Sequence, residues 1–341
     1  MAAGPSVDVV IPTIGRPSLR TLLAALVVRA MPLPADALPA SIIVVDDRPV
    51  AQGPLLAPDD VPPQIADRLR VIRGRAHGPA AARNTGWRAS TAEWVAFLDD
   101  DVLPDEGWYV SLQRDLAGLG SAVGGSQGTI VVPVPQHRPQ TDWERTVAGM
   151  ERAVWATADM AYRRSVLAQV GGFDERFQRA FREDAELGLR VVGAGHAIER
   201  GTRRVCHPIR PADRWVSVRS ERGNADDVLM RVLHGRHWQQ RASVPVGARP
   251  RHLATTACLG LAAGGAVGKK GWLTWLGLAG YIAGVADLAR RRIAPGPRTP
   301  DEVVTMIATS AVVPLAATYH WLRGWSDLEK LAVQSGPVPA A

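Results

Sequence analysis

The sequence predicts an α/β protein: a mostly parallel sheet flanked by helices, followed by an apolar helical appendage. Three observations carry this. Short β-branched runs alternate with helical stretches through the first two thirds of the chain, the pattern of βαβ units. Two of those runs end abruptly in carboxylates, Asp46-Asp47 and Asp99-Asp100-Asp101. Near residue 250 the composition changes to uncharged apolar stretches.

Each element has its own warrant. Residues 7–11 are short and β-branched, and Pro12 stops them, so they read as a buried strand. Residues 18–30 carry apolar side chains at helical spacing behind a Ser18 cap. Residues 41–45, 69–72 and 94–98 are further strands, and the Ala-rich segment 78–90 is a helix. Residues 107–119 read as a helix, 129–132 as a strand, and a Pro-rich loop runs on to Gln140. A helix is expected over 159–170, broken by Gly171-Gly172-Phe173, and another over 184–192. Residues 203–208 read as a strand end or loop. Right-handed crossovers place the strand ends on one edge of such a sheet, where ligands bind.

The 341 residues allow one large domain and an appendage. The net charge of +7 is carried almost wholly by Arg; Lys occurs only at 269, 270 and 330. The Arg residues are scattered rather than blocked, which argues against a nucleic-acid partner and leaves an anionic substrate or a membrane surface open. Cys206 and Cys258 form neither a framework nor a CxxC pair, so a reducing, cytoplasmic location is expected. The first residues lack the pattern of a signal peptide.

The C-terminal third divides into a helical connector (216–250), apolar helices (251–325) and a tail (326–341). Stretches 253–267 and 272–286 fall short of the ~20 residues that span a bilayer. Basic residues flank the second at both ends, which fits a simple crossing poorly. Trp272, Trp275, Trp321 and Trp325 suit an interfacial position. The expectation is a chain peripheral on, or anchored to, the cytoplasmic face of a membrane; a small soluble helical subdomain is the alternative.

A buried strand that runs into three carboxylates needs a cation, and one held by so few protein ligands is completed by phosphate oxygens. That points to a diphosphate-bearing substrate. Asp99 and Asp101 are two apart and share a side if the segment is extended, with Asp100 turned away as a bystander. Pro12 and Thr13 end a strand where a nucleotide base can lie against the backbone. Asp46 or Asp47 can accept from a base or ribose, or one can merely cap a turn. Arg83 offers a planar fork matched to a diphosphate, and it can also bridge the acidic cluster; the two roles are not exclusive. His207 is a metal ligand or a hydrogen-bonded surface residue. Glu183-Asp184 opens a helix, whose dipole favours the ionised form. One of them can serve as a base, or both simply begin the helix.

Taken in order, these fragments resemble family 2 glycosyltransferases. The carriers are Val9-Val10-Ile11-Pro12-Thr13, Val44-Val45-Asp46-Asp47, Gly78-Pro79-Ala80-Ala81-Ala82-Arg83-Asn84 and Phe97-Leu98-Asp99-Asp100-Asp101. Met160-Ala161-Tyr162-Arg163-Arg164, Gly171-Gly172-Phe173-Asp174-Glu175 and Glu183-Asp184 complete the series. The resemblance implies a GT-A type, Rossmann-like catalytic domain over 1–215. It implies a metal-dependent, inverting transfer of one sugar from a nucleoside-diphosphate sugar to a glycan or lipid-linked acceptor hydroxyl. By the same resemblance Asp47 meets the base, Asp99 the ribose or sugar, and Asp101, with His207 as a candidate, a Mn²⁺ or Mg²⁺ ion. Asp184 is then the base, and Glu183 helps place the acceptor.

Two departures stand out. Asp159 occupies a place where the family more often has Asn or Ala. Ala212-Asp213-Arg214-Trp215 replaces the Gln-x-x-Arg-Trp of processive members, which favours single addition. Trp215 either lines an acceptor groove or is a core aromatic. A sugar nucleotidyltransferase would need a Gly-rich basic loop after the first strand, and 12–17 is a poor one. A dinucleotide dehydrogenase would need GxGxxG there, and it is absent. A non-catalytic membrane scaffold would have no physical need for both Asp101 and Asp184.

Overall fold

The computed structural model describes residues 4–30 and 38–335. The chain divides into two compact units: Met1–Pro133 with Ala148–Ile209, and Val134–Val147 with Arg210–Ala341.

In the first unit, β1 (Val7–Thr13), β2 (Ser41–Asp46), β3 (Leu69–Arg73) and β4 (Trp94–Leu98) are joined in parallel, with β1 between β2 and β4. Helices α1 (Ser18–Ala30) and α2 (Pro79–Ala89) make the crossovers. The Val and Ile side chains of β1 and β2 are buried, as strands covered on both faces require. Beyond β4 the sheet continues through β7 (Asp159–Arg163), β6 (Val123–Val131), β8 (Ala197–Cys206) and the short β5 (Leu103–Pro104). Three pairings there are antiparallel and four across the whole sheet are parallel, so the sheet is mixed.

The helix expected over 159–170 is a strand followed by a helix. β7 lies antiparallel to β4, with Leu98 opposite Asp159, and α5 (Arg164–Val170) follows it. A five-residue run of buried apolar and polar side chains has no period that separates strand from helix. β6 is longer than the 129–132 expected, because its first half is built of Gly, Ser and Gln. Gly128 is needed there: a Cβ would collide with the Asp159 carboxylate. The last two helices of this unit are α3 (Trp108–Ala117) and α6 (Glu183–Gly193).

Topology sets the site. β7 is antiparallel to both β4 and β6, so β6 and its parallel partner β8 run in the same direction as β4. The C-terminal ends of β1, β2, β4 and β8 therefore share one edge. α6 precedes β8 and runs back against it, so its N-terminus lies at that edge too.

Under the sheet, Arg203 and Asp159 are both fully buried. Arg203 Nε donates to Asp159 Oδ1 at 2.8 Å, and its Nη1 reaches Asp115 at 3.2 Å and Ser126 Oγ at 2.9 Å. Trp108 Nε1 donates to the other Asp159 oxygen at 3.0 Å. The departure at Asp159 thus belongs to a buried ion pair.

The second unit holds α4 (Asp142–Ala148), α7 (Val216–Ser220), α8 (Gly223–His234), α9 (Trp238–Arg241), α10 (Arg249–Val267), α11 (Gly271–Ile293) and α12 (Pro300–Ser335). Within it, Trp215 is 43% exposed at the start of α7, so it is not a core aromatic. Pro314 sits inside α12, and the neighbouring backbone finds other partners: Tyr281 donates to Ala311 O at 2.6 Å, and Thr256 to Pro314 O at 3.0 Å. By length and composition, Gly271–Ile293 and Pro300–Leu328 are long and apolar enough to cross a membrane. The apolar stretch at 272–286 is short, as read, but its helix continues to Ile293 and carries Arg290–Arg292 in the last turn. Residues 336–341 of the expected tail lie outside the described residues.

Arg203→Leu removes one partner of a buried pair and leaves Asp159 uncompensated, which costs about 3–5 kcal/mol. Urea unfolding followed by tryptophan fluorescence should show the transition of the first unit at clearly lower denaturant; an unmoved transition would contradict the assignment.

Candidate active site

At the shared edge, β4 delivers Asp99-Asp100-Asp101 into a turn in which the Val102 N–H donates to Asp99 O at 3.4 Å. The segment is not extended, so the alternation read from it does not apply. Asp100 is no bystander either. It is buried, accepting from Thr13 Oγ1 at 2.6 Å and from Arg16 at 2.9 Å. These bonds fasten the end of β1, with Pro12 and Thr13, to the acidic turn.

Asp46 is spoken for. Arg48 grips it through Nε at 2.9 Å and Nη2 at 2.8 Å, and Arg73 adds a contact at 3.1 Å. The Arg48 hydrogen bonds hold its carboxyl below the usual range. Asp47 is buried beside it, accepting the backbone N–H of Ala76 at 2.8 Å and of Gly78 at 3.0 Å. Each of its oxygens retains a second lone-pair direction.

Arg83 lies on the inner face of α2, 2% exposed. Nη2 donates to Asp99 at 2.7 Å and Nη1 to Glu183 at 2.9 Å. Burial opposes its charge, but the two carboxylates overcome that and raise its pKa. The geometry shows Arg83 bridging the acidic cluster, a role that does not exclude a contact with a diphosphate. The next residue, Asn84, clamps the loop after α5. Its amide donates to Phe173 O and Glu175, and its carbonyl accepts from Phe173 N–H and Trp87 Nε1, each at 2.8 Å. Gly172, with φ +75°, passes so close to Asn84 that a Cβ has no room.

Asp101 and His207 are brought together from β4 and from just past β8: Oδ1 and Nε2 are 3.6 Å apart, both buried. Among the described residues no group of three or more His, Cys, Asp or Glu side chains could hold a metal ion. A carboxylate and an imidazole nonetheless fit a divalent cation whose remaining positions are filled by phosphate oxygens. His207 Nδ1 is buried without a hydrogen-bond partner, so no acceptor fixes its tautomer.

Glu183 and Asp184 open α6 behind Arg182, whose φ of 75° is unusual for a residue with a side chain. Asp184 is half-buried and accepts its neighbour's N–H, from Ala185, at 2.7 Å. Burial raises both carboxyls. For Glu183 the charge of Asp184 adds to burial, against Arg83, and the pKa reaches about 8. For Asp184 the N–H of Ala185 and the charges of Arg83 and Arg182 work against that burial.

The family profile described as glycosyl transferase family 2 matches residues 8–185, just over half of the chain. The chain belongs to this family. The pre-mycofactocin glycosyltransferase of Mycobacterium tuberculosis is 32% identical over 167 residues, covering 45% of this chain and 34% of that protein. The glycosyltransferase AglE of Haloferax volcanii is 26% identical over 152 residues, covering 42% of this chain and 49% of that protein. The chain thus spans about a third and about half of the length of these relatives. In the solved structures, the mannosyltransferase PcManGT of Pyrobaculum calidifontis, in complex with GDP-Man and Mn²⁺, shares the fold. Its TM-score is 0.55 at 17% identity, over 94% of this chain and 88% of that one.

Within the family 2 unit, the structure gathers Thr13, Arg83, Asp99, Asp101, Asp184 and His207 at one edge. Sequence reading gave no role to Asn84 or Glu175 and took Asp100 as idle. For Asn84 and Glu175 the signal was present in the quoted fragments, but a clamp 89 residues apart is invisible without the fold.

Unfolded, Glu183 loses its proton near 4.5; folded, near 8. Its contribution to stability is fully present below about pH 4.5 and is lost as pH rises through about 8. The melting temperature of Glu183→Gln should vary less over that window than that of the native chain. Parallel curves would show that another group titrates there.

Proposed function

We propose that the chain is a metal-dependent, inverting glycosyltransferase. It moves one sugar from a nucleoside-diphosphate sugar to the hydroxyl of a glycan or lipid-linked acceptor in cell-envelope glycan, glycolipid or polysaccharide synthesis. One observation carries this: Arg83 joins Asp99 to Glu183, so the acidic turn and the base-bearing helix end are held as one unit.

Asp47, with Pro12 and Thr13, receives the nucleotide base, and Asp99 faces the ribose or sugar. Asp101 and His207 would hold a Mn²⁺ or Mg²⁺ ion, which when bound neutralises charge on the departing diphosphate. Asp184 takes the proton of the acceptor hydroxyl as that oxygen bonds to the anomeric carbon. The bond to the diphosphate breaks on the opposite face, so the centre inverts. Arg83 keeps Glu183 and Asp99 in place beside the departing diphosphate. PcManGT, of the same fold, binds GDP-Man and Mn²⁺, which supports the class of donor and ion. A nucleotidyltransferase reading finds less support, because Arg16, the basic residue after β1, is committed to Asp100.

The two long apolar helices, α11 and α12, support work at a membrane. Exposed Trp272 and Trp275 lie at one end of α11 and Arg290–Arg292 at the other. We place the protein on the cytoplasmic face.

Calorimetric titration of a panel of nucleoside diphosphates, with and without Mn²⁺, should reveal one that binds only with the metal; no metal-dependent binding would overturn the reading. Asp184→Asn should bind that nucleotide as the native protein does and lose about 10²–10⁴-fold in turnover. Unchanged turnover would remove Asp184 as the base.

A further inference from the structure

A cavity of about 280 Å³ opens between the N-terminal half of α10 and the C-terminal half of α11. Its walls are small: Ala254, Thr255, Cys258, Gly280 and Gly284. The two helices approach closely here because Gly280 and Gly284 lie against Cys258 and Thr255. Its charged residues are Arg251, Arg291 and Asp287, beside buried His252. Asp287 is answered by Arg291 at 2.7 Å and by Arg290 at 3.5 Å. Arg251 is exposed and makes no ion pair among the described residues. Burial, with the nearby charges of Arg292 and Arg251, pushes the His252 pKa down, so His252 adds a neutral donor or acceptor. The lining thus carries one more positive charge than negative, with a cation left over for an anionic guest.

Depth matters as much as charge. Trp272 and Arg291 are nineteen residues apart on one helix, about 28 Å along its axis, close to the thickness of a bilayer's hydrocarbon core. If α11 crosses, the tryptophans meet one interface and the arginines the other. The cavity then runs from mid-helix at Gly280 to the arginine end, and its mouth at Arg251 and Arg291 lies at headgroup level. Its volume suits a phosphate and a few carbons, not two acyl chains.

We propose that this cavity binds the headgroup of an anionic phospholipid of the phosphatidylglycerol class. Arg251 and Arg291 hold the phosphate, Thr255 and His252 face the polar remainder, and the acyl chains leave into the surrounding bilayer. Basic recesses between membrane helices recognise such headgroups because the cation and the low dielectric act on the same group. The inference rests on the membrane reading given above.

The test uses the full chain in vesicles of phosphatidylcholine alone and in an equal mixture with phosphatidylglycerol. Flotation with either kind supports the membrane reading. Native mass spectrometry of protein released from the mixture should show retained phosphatidylglycerol in preference to phosphatidylcholine. Retention should fall about tenfold or more in an Arg251→Ala, Arg291→Ala double variant. It should fall likewise in Ala254→Phe, which fills the cavity and keeps every charge. Inorganic phosphate alone should leave the melting temperature unmoved. A chain that floats with neither vesicle overturns the membrane reading and this inference together. One that floats but retains no phosphatidylglycerol selectively, or whose retention survives both variants, overturns this inference alone. Stabilisation by inorganic phosphate equal to that by the lipid overturns it in favour of a free-anion site.

Discussion

The buried guanidinium of Arg83 is the constraint around which the first unit is arranged. A cation with almost no access to water is tolerable only between anions, and the two it has chosen come from opposite directions. Asp99 ends β4, and Glu183 begins α6. Because α2 holds Arg83 rigidly beneath the sheet edge, the separation of these two carboxylates is set by the reach of one planar fork. Removing the cation would leave Glu183 buried without its partner and Asp99 repelled by its neighbours. Burial, with the charge of Asp184, raises the pKa of Glu183, and Arg83 works against that rise.

A second layer supports that layer. Thr13 and Arg16 hold Asp100, which fixes the acidic turn to β1. Asn84, adjacent to Arg83, holds the loop from Gly172 to Glu175 with three hydrogen bonds. The site therefore stands on contacts between β1, the neighbouring α2 and β4, and the loop before α6, in which Phe173 lies 89 residues beyond Asn84 in sequence. Such preorganisation keeps charged groups in place before any substrate arrives.

The parallel half of the sheet was legible in the sequence because buried β-branched runs and turn residues mark it without ambiguity. Carboxylates at strand ends drew the candidate list, and the structure gives two of them, Asp46 and Asp100, structural partners. What stayed hidden has a common cause. Asp159 looked helical because a short run has no readable period, and its pairing with Arg203 lies 44 residues away. The first half of β6 was hidden by its glycines, which pack against their neighbours rather than advertise a strand. The Asp100 assignment failed because alternation was assumed across a turn. In the second unit, reading uncharged runs alone underestimated α11, since its terminal arginines belong to the same helix.

The Asp159–Arg203 pair has a consequence for how the chain can change. Neither member can be replaced singly at low cost, yet a joint exchange for apolar residues of similar volume can be neutral or favourable. With a neutral side chain in place of Asp159, Arg203 would keep only Asp115, at 3.2 Å, as a counter-charge. The two sites should therefore drift as a couple through descent. A lineage that lost the acid would be recognisable by a matching loss of the base on the strand two places away in the sheet.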